Sequence, residues 1–377
     1  MKQKWHASHC FQLQQPEGRE KGVTIANQKK LRQQIQSLLK PALVDTLLHH
    51  FSTLVGGGPV HYADFGCSVG HNTISFATFV TDILNSKSEL SAKDFVCHFA
   101  DLPSNDFNTL FKQLPGEGGG ERERTWFVEG VPGSQYSRMF PHSSLHVAMT
   151  TLTLHYLSEI PSLVSDKSLP VYNKGKISAH GSSLGTVEAY VEVSRKGLRK
   201  FFECRAEEMV SSGVLGYYCP GRRDRAHPEE QMFDDNVHPQ FLFEKSWQEL
   251  VNEGTIEEEI LDSFNMPICH PSIDELQEAI EQPIPEFQIQ TLEFTDKFYI
   301  TPGNADTMFK DAKAYGETMT NMLKMGAGPM VSDHLGHEPM QLMMERFCHN
   351  SEKDYPLKKA VGFPMYVSFC SGVLVQK

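Results

Sequence analysis

The sequence predicts an α/β fold: a mostly parallel sheet covered by helices, with a largely helical addition in the second half of the chain. Three observations predict it. Strand-like and helix-like patterns alternate with short connections through about residue 220. A glycine-bearing loop, Gly66 to Gly70, sits between the first strand and its helix. After residue 220 the pattern turns to helical segments closed by late strands. On this reading residues 1–220 form the α/β unit, with an N-terminal helix contributing to its site. Residues 221–377 form a mostly helical cap whose terminal strands complete the sheet.

The elements follow from periodicity. Leu31, Ile35, Leu38, Leu39, Leu43, Leu47 and Leu48 recur at helical spacing within 25–51, and Pro41 divides or kinks that segment. Val60 to Phe65 is a short apolar strand, and Thr73 to Leu84 a helix with Ile74, Ala77, Val80 and Ile83 inward. Asp94 to Ala100 is the second strand and Asp106 to Gln113 the next helix. Thr125 to Glu129 and Ser144 to Met149 are the third and fourth strands. Val187, Val191, Leu198, Phe201, Phe202 and Met209 form one stripe, so Gly185 to Ser212 is a long helix, followed by a strand at Val214 to Cys219. Arg222 to Val237 is polar and is expected as an exposed loop. Helices are expected at 239–254, 272–281, 305–325 and 337–349, with strands near Phe287–Phe294 and Pro364–Phe369.

Composition narrows the function classes. The 377 residues are 40% hydrophobic and 22% charged, with a net charge of −12. That balance excludes a dedicated nucleic-acid binder, which needs a basic stripe. It gives an anionic ligand no long-range steering, so local groups must hold an acid. No apolar run approaches the ~20 residues of a membrane span. The polar stretch Met1 to Gln15 lacks the apolar core of a secretory signal. The eight cysteines form no C-x-x-C pair, so reduced thiols in a cytoplasmic protein are expected.

Four segments carry the chemistry. In Asp64-Phe65-Gly66-Cys67-Ser68-Val69-Gly70-His71-Asn72 the glycines let the backbone approach a ligand at a strand's C-terminal end. The spacing G-x-x-x-G favours a methyl donor over a dinucleotide; a plain strand–helix turn is the other reading. Asp101, in Ala100-Asp101-Leu102-Pro103, ends the second strand and can accept from ribose hydroxyls or cap the next helix. Gly130-Val131-Pro132-Gly133-Ser134-Gln135 follows the third strand and can meet adenine or form a ligand-free turn. Ser144-Leu145-His146 opens the fourth strand, which runs on to Leu152-Thr153-Leu154-His155-Tyr156-Leu157-Ser158-Glu159-Ile160-Pro161.

In this order the segments resemble the plant SABATH family of methyltransferases, which esterify acids such as salicylate, benzoate, jasmonate and indole-acetate or N-methylate xanthines. The resemblance runs over nearly the whole chain and is strongest at 62–76, 99–111, 129–161 and 253–267. It implies a Rossmann-like methyltransferase sheet, S-adenosylmethionine as methyl donor, S-adenosylhomocysteine as product and a homodimer. It places Asp64, Gly66, Cys67 and Asn72 at the methionine end, Asp101 on the ribose, and Leu102, Ser134 and Gln135 around adenine. Leu152, His155 and Tyr156 would face the acceptor, with Gln240, Leu323 and Phe363 lining its pocket by looser alignment. His155 and Tyr156 would be the catalytic pair. Asn173, Asp262, Phe264 and Asn265 match positions described as binding Mg2+, oxygen ligands that suit a hard cation; a polar structural cluster is the other reading.

The chain also departs from the family pattern. Gln135 and Leu152 stand where an aromatic pair is usual, and Tyr156 where Trp is usual. Ile25 falls at the position of a cofactor-touching Tyr, and Leu31 or Arg32 at that of a carboxylate-binding Gln. The cluster Lys29, Lys30 and Arg32 would either recognise a carboxylate or form a solvated helix face. The resemblance thus implies a carboxyl methyltransferase acting on a small, mostly apolar acid. An N-methyltransferase and a catalytically silent cofactor binder stay open beside it. A carboxylate is ionised at neutral pH, so its attack on a sulfonium methyl needs no general base. Charge is annihilated in that step, so a dry pocket that orients the reactants favours it. His155 is expected to donate a hydrogen bond to the acceptor carboxylate.

Overall fold

The computed structural model describes residues 39, 41–50, 58–87, 93–114, 126–229, 231, 239–282, 286–300, 309–360 and 365–377. Ile25, Lys29, Lys30, Leu31, Arg32 and Phe363 lie outside them. Helix α1 (41–50) precedes β1 (Val60–Phe65), α2 (His71–Asn85), β2 (Phe95–Asp101), α3 (Phe107–Phe111), β3 (Phe127–Pro132) and β4 (Leu145–Thr151). Then come α4 (Leu184–Glu208), β5 (Met209–Pro220), α5 (Pro239–Asn252), α6 (Glu258–Ser263) and α7 (Ile273–Glu281). The chain closes with β6 (Phe287–Ile300), α8 (Ala312–Leu335), α9 (His337–Ala360) and β7 (Met365–Gln376).

Seven of these strands form one sheet in the order β3-β2-β1-β4-β5-β7-β6. The first five pair in parallel. β7 runs antiparallel to β5, and β6 antiparallel to β7. The late strands therefore extend the sheet that the first half begins. The direction of winding reverses beside β1, with β2 on one side and β4 on the other. In open α/β sheets ligands bind outside the carboxyl ends of the strands at such a switch.

Alternation along the central strands sorts side chains to two faces. Val60 and Tyr62 point with Cys97, Phe99, Val147 and Met149 into a core under α1 and α2, closed by Leu43, Leu47, Ile74, Phe76, Ala77 and Val80. Ala63 and Phe65 point with Ala100, Ala148 and Leu215 into a second core under α4 and α7, closed by Leu198, Phe201, Phe202, Leu276 and Ile280. Strands buried on both faces carry near-continuous apolar runs, as Phe95–Asp101 does. A third core, separate from the sheet, joins α5, α6, α8 and α9 through Phe243, Trp247, Phe264, Met319, Met330 and Phe347.

Several boundaries differ from the periodicity. α4 ends at Glu208 rather than Ser212, because Met209 already pairs with Leu145 and begins β5, ahead of a register shift that brings Val214 opposite Val147. Helices α8 and α9 reach Leu335 and Ala360, past the expected ends at 325 and 349, and each contains a proline (Pro329 and Pro356). Arg222, expected on an exposed loop, is fully buried: its guanidinium reaches Glu275 Oε1 at 2.6 Å and the His270 carbonyl. No helix among the described residues is long and apolar enough to cross a membrane.

Candidate active site

The loop after β1 turns at Gly66, which has φ +80°. A Cβ there would lie 2.1 Å from the Thr153 Cγ2, so both conformation and space demand glycine. The Gly66 and Cys67 amides donate to the Ala100 carbonyl at 2.8 and 3.2 Å, holding the loop against β2. Asp101 at the end of β2 is 7% exposed. One of its oxygens accepts from the Ser68 amide and the other from the Leu102 amide, both at 2.7 Å. The Gly133 amide donates to the Asp101 carbonyl at 2.8 Å, bringing the loop after β3 alongside.

These loops border an open cleft whose empty space, the open solvent at its mouth included, is about 520 Å³. Gly66, Asp101, Leu102, Ser134, Gln135 and Tyr156 form its walls together with Phe65, Gly133, Tyr136 and Thr153. The first six were legible as site residues; the last four were not. Thr153 earns its place by contact: its hydroxyl donates to Gln135 Oε1 at 3.0 Å and lies 2.5 Å from the Thr150 hydroxyl. Gln135, standing where an aromatic is usual, is therefore tied across the cleft to the loop after β4.

Burial dominates the electrostatics. Desolvation pushes the Asp64 carboxyl up to about 7 and the Asp101 carboxyl up to about 6. The Thr73 hydroxyl at Asp64, and the Ser68 and Leu102 amides at Asp101, oppose that rise. Asp64 also feels the charge of Asp101. A buried acid lining the cleft, Asp101, with a second, Asp64, buried behind it, suits a ligand that carries positive charge or hydroxyl donors.

Asp64 and Cys67 lie buried behind the wall, and Asn105 Nδ2 approaches the Cys67 Sγ at 3.9 Å. Asn72 is the second residue of α2 and half-buried. Leu152 has φ +62°, donates its amide to the Tyr218 carbonyl at 2.7 Å, and packs against the core under α2. A left-handed leucine directly after β4 is a strained position, and Leu152 is not among the residues that line the cleft.

His155 is 7% exposed, and its Nδ1 has no partner among the described residues. Desolvation holds its pKa at about 3, so the ring is neutral. It lies against the Tyr156 ring at 4.2 Å and stacks on His270 at 5.5 Å and 9°. Gln231 Oε1 lies 3.0 Å from the His270 Nδ1, which places a proton on that nitrogen. Tyr156 lines the cleft, packs into the α5–α9 core and donates its hydroxyl to the Gly326 carbonyl at 3.3 Å. The Cys269 and Leu157 amides donate to the His155 and Pro267 carbonyls at 2.9 and 2.8 Å, strapping this segment to the cap. Leu323 packs against the same cap core, and Gln240 lies in α5 with its side chain outside the described set.

Asn173, Asp262 and Asn265 are held by hydrogen bonds to protein groups, while Phe264 packs its ring against Trp247 in the cap core. Asn173 Nδ2 donates to Asn265 Oδ1 at 3.0 Å, and the Tyr190 hydroxyl donates to the same oxygen at 3.1 Å. The Ser182 hydroxyl donates to Asn173 Oδ1 at 2.6 Å. Asp262 accepts from the Gly175 amide at 2.8 Å and the Tyr172 hydroxyl at 3.2 Å. The side-chain oxygens of the set are thus engaged by protein donors, and one carboxylate is its whole charge. This does not fit a Mg2+ cage, which relies on free oxygens and waters. The cluster instead pins 172–182 to α6, the second of the two readings. No group of three or more His, Cys, Asp or Glu among the described residues is placed to hold a metal.

Comparison with known proteins agrees with the geometry. Residues 20–370 match the family described as SAM dependent carboxyl methyltransferase. The chain is 32% identical to gibberellic acid methyltransferase 2 of Arabidopsis thaliana, covering 91% of this chain and 90% of that one. It is 30% identical to caffeine synthase 3 of Camellia sinensis, covering 89% and 90%. A solved loganic acid methyltransferase with S-adenosylhomocysteine superposes with a TM-score of 0.76 at 27% identity, over 92% of this chain and 94% of that chain.

Proposed function

Because the chain belongs to the S-adenosylmethionine-dependent carboxyl methyltransferase family, we propose that it forms the methyl ester of a small, mostly apolar carboxylic acid, aromatic or terpenoid. The observation that carries the reading is the cleft at the switch point, lined by Asp101 and Tyr156, with the His155 ring against Tyr156 and its Nδ1 without a partner among the described residues. The residues fit the donor. The Gly66 turn packs directly on Thr153, where a Cβ would collide, and Asp64 and Asp101 are buried acids that cationic and hydroxyl groups would satisfy.

S-adenosylmethionine supplies an electrophilic methyl group. The protein orients the acceptor and keeps water away. His155, neutral throughout the physiological range, donates an N–H to the acceptor carboxylate and takes no proton. Tyr156, held by Gly326, closes the wall between cofactor and acceptor.

The test is a transfer screen with labelled S-adenosylmethionine against aromatic, terpenoid and fatty acids, with xanthines as nitrogen acceptors. Base-labile, organic-soluble product is expected. Base-stable product alone would replace ester formation with N-methylation. That second reading is favoured by the neutral His155, which can bond a heterocycle as readily as an acid, and by the likeness to a caffeine synthase. No transfer to any acceptor, with cofactor bound, would point to the silent binder.

A further inference from the structure

The loop between β3 and β4 that carries Ser134 and Gln135 to the cleft has neither helical nor strand pairing over 133–140. Its polar backbone groups therefore need partners from elsewhere. Two side chains at the end of α4 supply four of them. Arg205 Nη1 donates to the Gln135 carbonyl at 2.9 Å and Nη2 to the Ser137 carbonyl at 3.0 Å. Glu208 Oε1 accepts from the Met139 amide at 2.5 Å and the Phe140 amide at 3.0 Å. The pair closes on itself through Arg205 Nε to Glu208 Oε2 at 2.7 Å, with both side chains 0% exposed. The guanidinium also lies 4.0 Å above the ring of Phe65, a wall residue of the cleft. Gly197, two turns earlier on α4, lets the helix approach Tyr136: a Cβ there would be 3.3 Å from the ring.

We propose that Arg205 and Glu208 are positioning residues of the transfer reaction, a buried latch that holds 134–136 in the form that receives the adenosine portion of the donor. The inference rests on the methyl-donor reading of the cleft and deepens it. A buried ion pair is a poor source of net stability, because desolvation offsets its attraction and an apolar pair of similar volume often folds as well. This one does something an apolar pair cannot: it gives each of four loop groups a partner with fixed direction. Arg is specific to the role, since its planar fork meets two carbonyls and a carboxylate at once.

The test uses Arg205→Lys, Glu208→Gln and the double variant Arg205→Met/Glu208→Leu. Each is assayed for S-adenosylhomocysteine and adenosine affinity by titration calorimetry, for KM and kcat, and for cooperative unfolding. The latch predicts that folded variants lose about ten- to a hundredfold in affinity for both ligands, as a displaced positioning loop would. It also predicts that KM for the donor rises far more than kcat falls. The double variant separates the roles: a purely structural pair predicts unchanged affinity once an apolar pair restores folding. If the double variant does not fold, Glu208→Gln decides, since it keeps the oxygen facing Met139 and Phe140 and loses the charge facing Arg205. Folded variants with wild-type affinity would overturn the latch. Wild-type protein that binds neither ligand would overturn the methyl-donor reading itself, and the latch with it.

Discussion

Replacing Gly66 by alanine tests the closest approach in the site. Two costs follow from the structure. The backbone at φ +80° puts an L side chain in the left-handed region, a penalty of about 1–2 kcal/mol. The new methyl would start 2.1 Å from the Thr153 Cγ2, so the loops after β1 and β4 must part, and forced overpacking costs about 1–3 kcal/mol more. The two contributions have different remedies. Thr153→Ser removes Cγ2 and keeps the hydroxyl that meets Thr150 and Gln135. Gly66→Ala should therefore shift the urea midpoint down by the combined cost. Gly66→Ala/Thr153→Ser should recover the steric part and leave the backbone part. Calorimetry on the same proteins should show weakened S-adenosylhomocysteine binding in the single variant and partial recovery in the double. If the double variant is no more stable than Gly66→Ala, or Gly66→Ala matches wild type, the close-approach reasoning is wrong.

The remaining expectations concern charge and metal. With Asp64 and Asp101 held up at about 7 and about 6, affinity for S-adenosylmethionine should fall as pH drops through those values, because the protonated acids lose their negative charge. A flat profile of Kd from about pH 8 to about pH 5 would refute this. Folded carboxyl pKa values above the unfolded ones also mean that these acids favour the ligand-free fold below the unfolded value of 3.8 and withdraw that support as pH rises through about 7. Stabilisation by the cofactor should accordingly be larger at pH 8, measured as the melting shift on binding. His155→Ala should lower kcat/KM for the acceptor about 10- to 150-fold, the worth of a hydrogen bond to a charged group, and leave S-adenosylhomocysteine affinity intact; unchanged turnover and acceptor affinity would remove His155 from the mechanism. Dialysis against a chelator should leave transfer activity unchanged, because the oxygens of Asn173, Asp262 and Asn265 are already engaged; activity restored only by added Mg2+ would reverse that assignment.

Much of the site was legible because it sits where local chemistry is loud. Gly66, Asp101, Leu102 and Ser134 follow strand ends, and a strand–loop–helix alternation announces those positions without any tertiary knowledge. Gln135 and Tyr156 were placed by resemblance to a family from whose usual residues both depart. Arg205, Glu208, Thr153 and His270 were silent. Arg205 and Glu208 read as ordinary charges three apart on a helix, and nothing local says that both are fully buried. Thr153 matters because its methyl meets a glycine 87 positions away, a separation set by pairing of β1 with β4.

The sequence by itself determined the alternation of strands and helices, the parallel core and the loops that would hold a methyl donor, since periodicity and glycine placement are properties of short windows. The tertiary structure decided what depends on long-range packing. It set the order and antiparallel direction of β7 and β6 beyond β5, turned Arg222 inward onto Glu275, and filled the oxygens of the Asn173–Asp262–Asn265 cluster with protein donors. It also seated His155 where desolvation keeps it neutral. Burial and partner direction arise only when distant segments meet, and they set both the charge of an ionisable group and what it can bind.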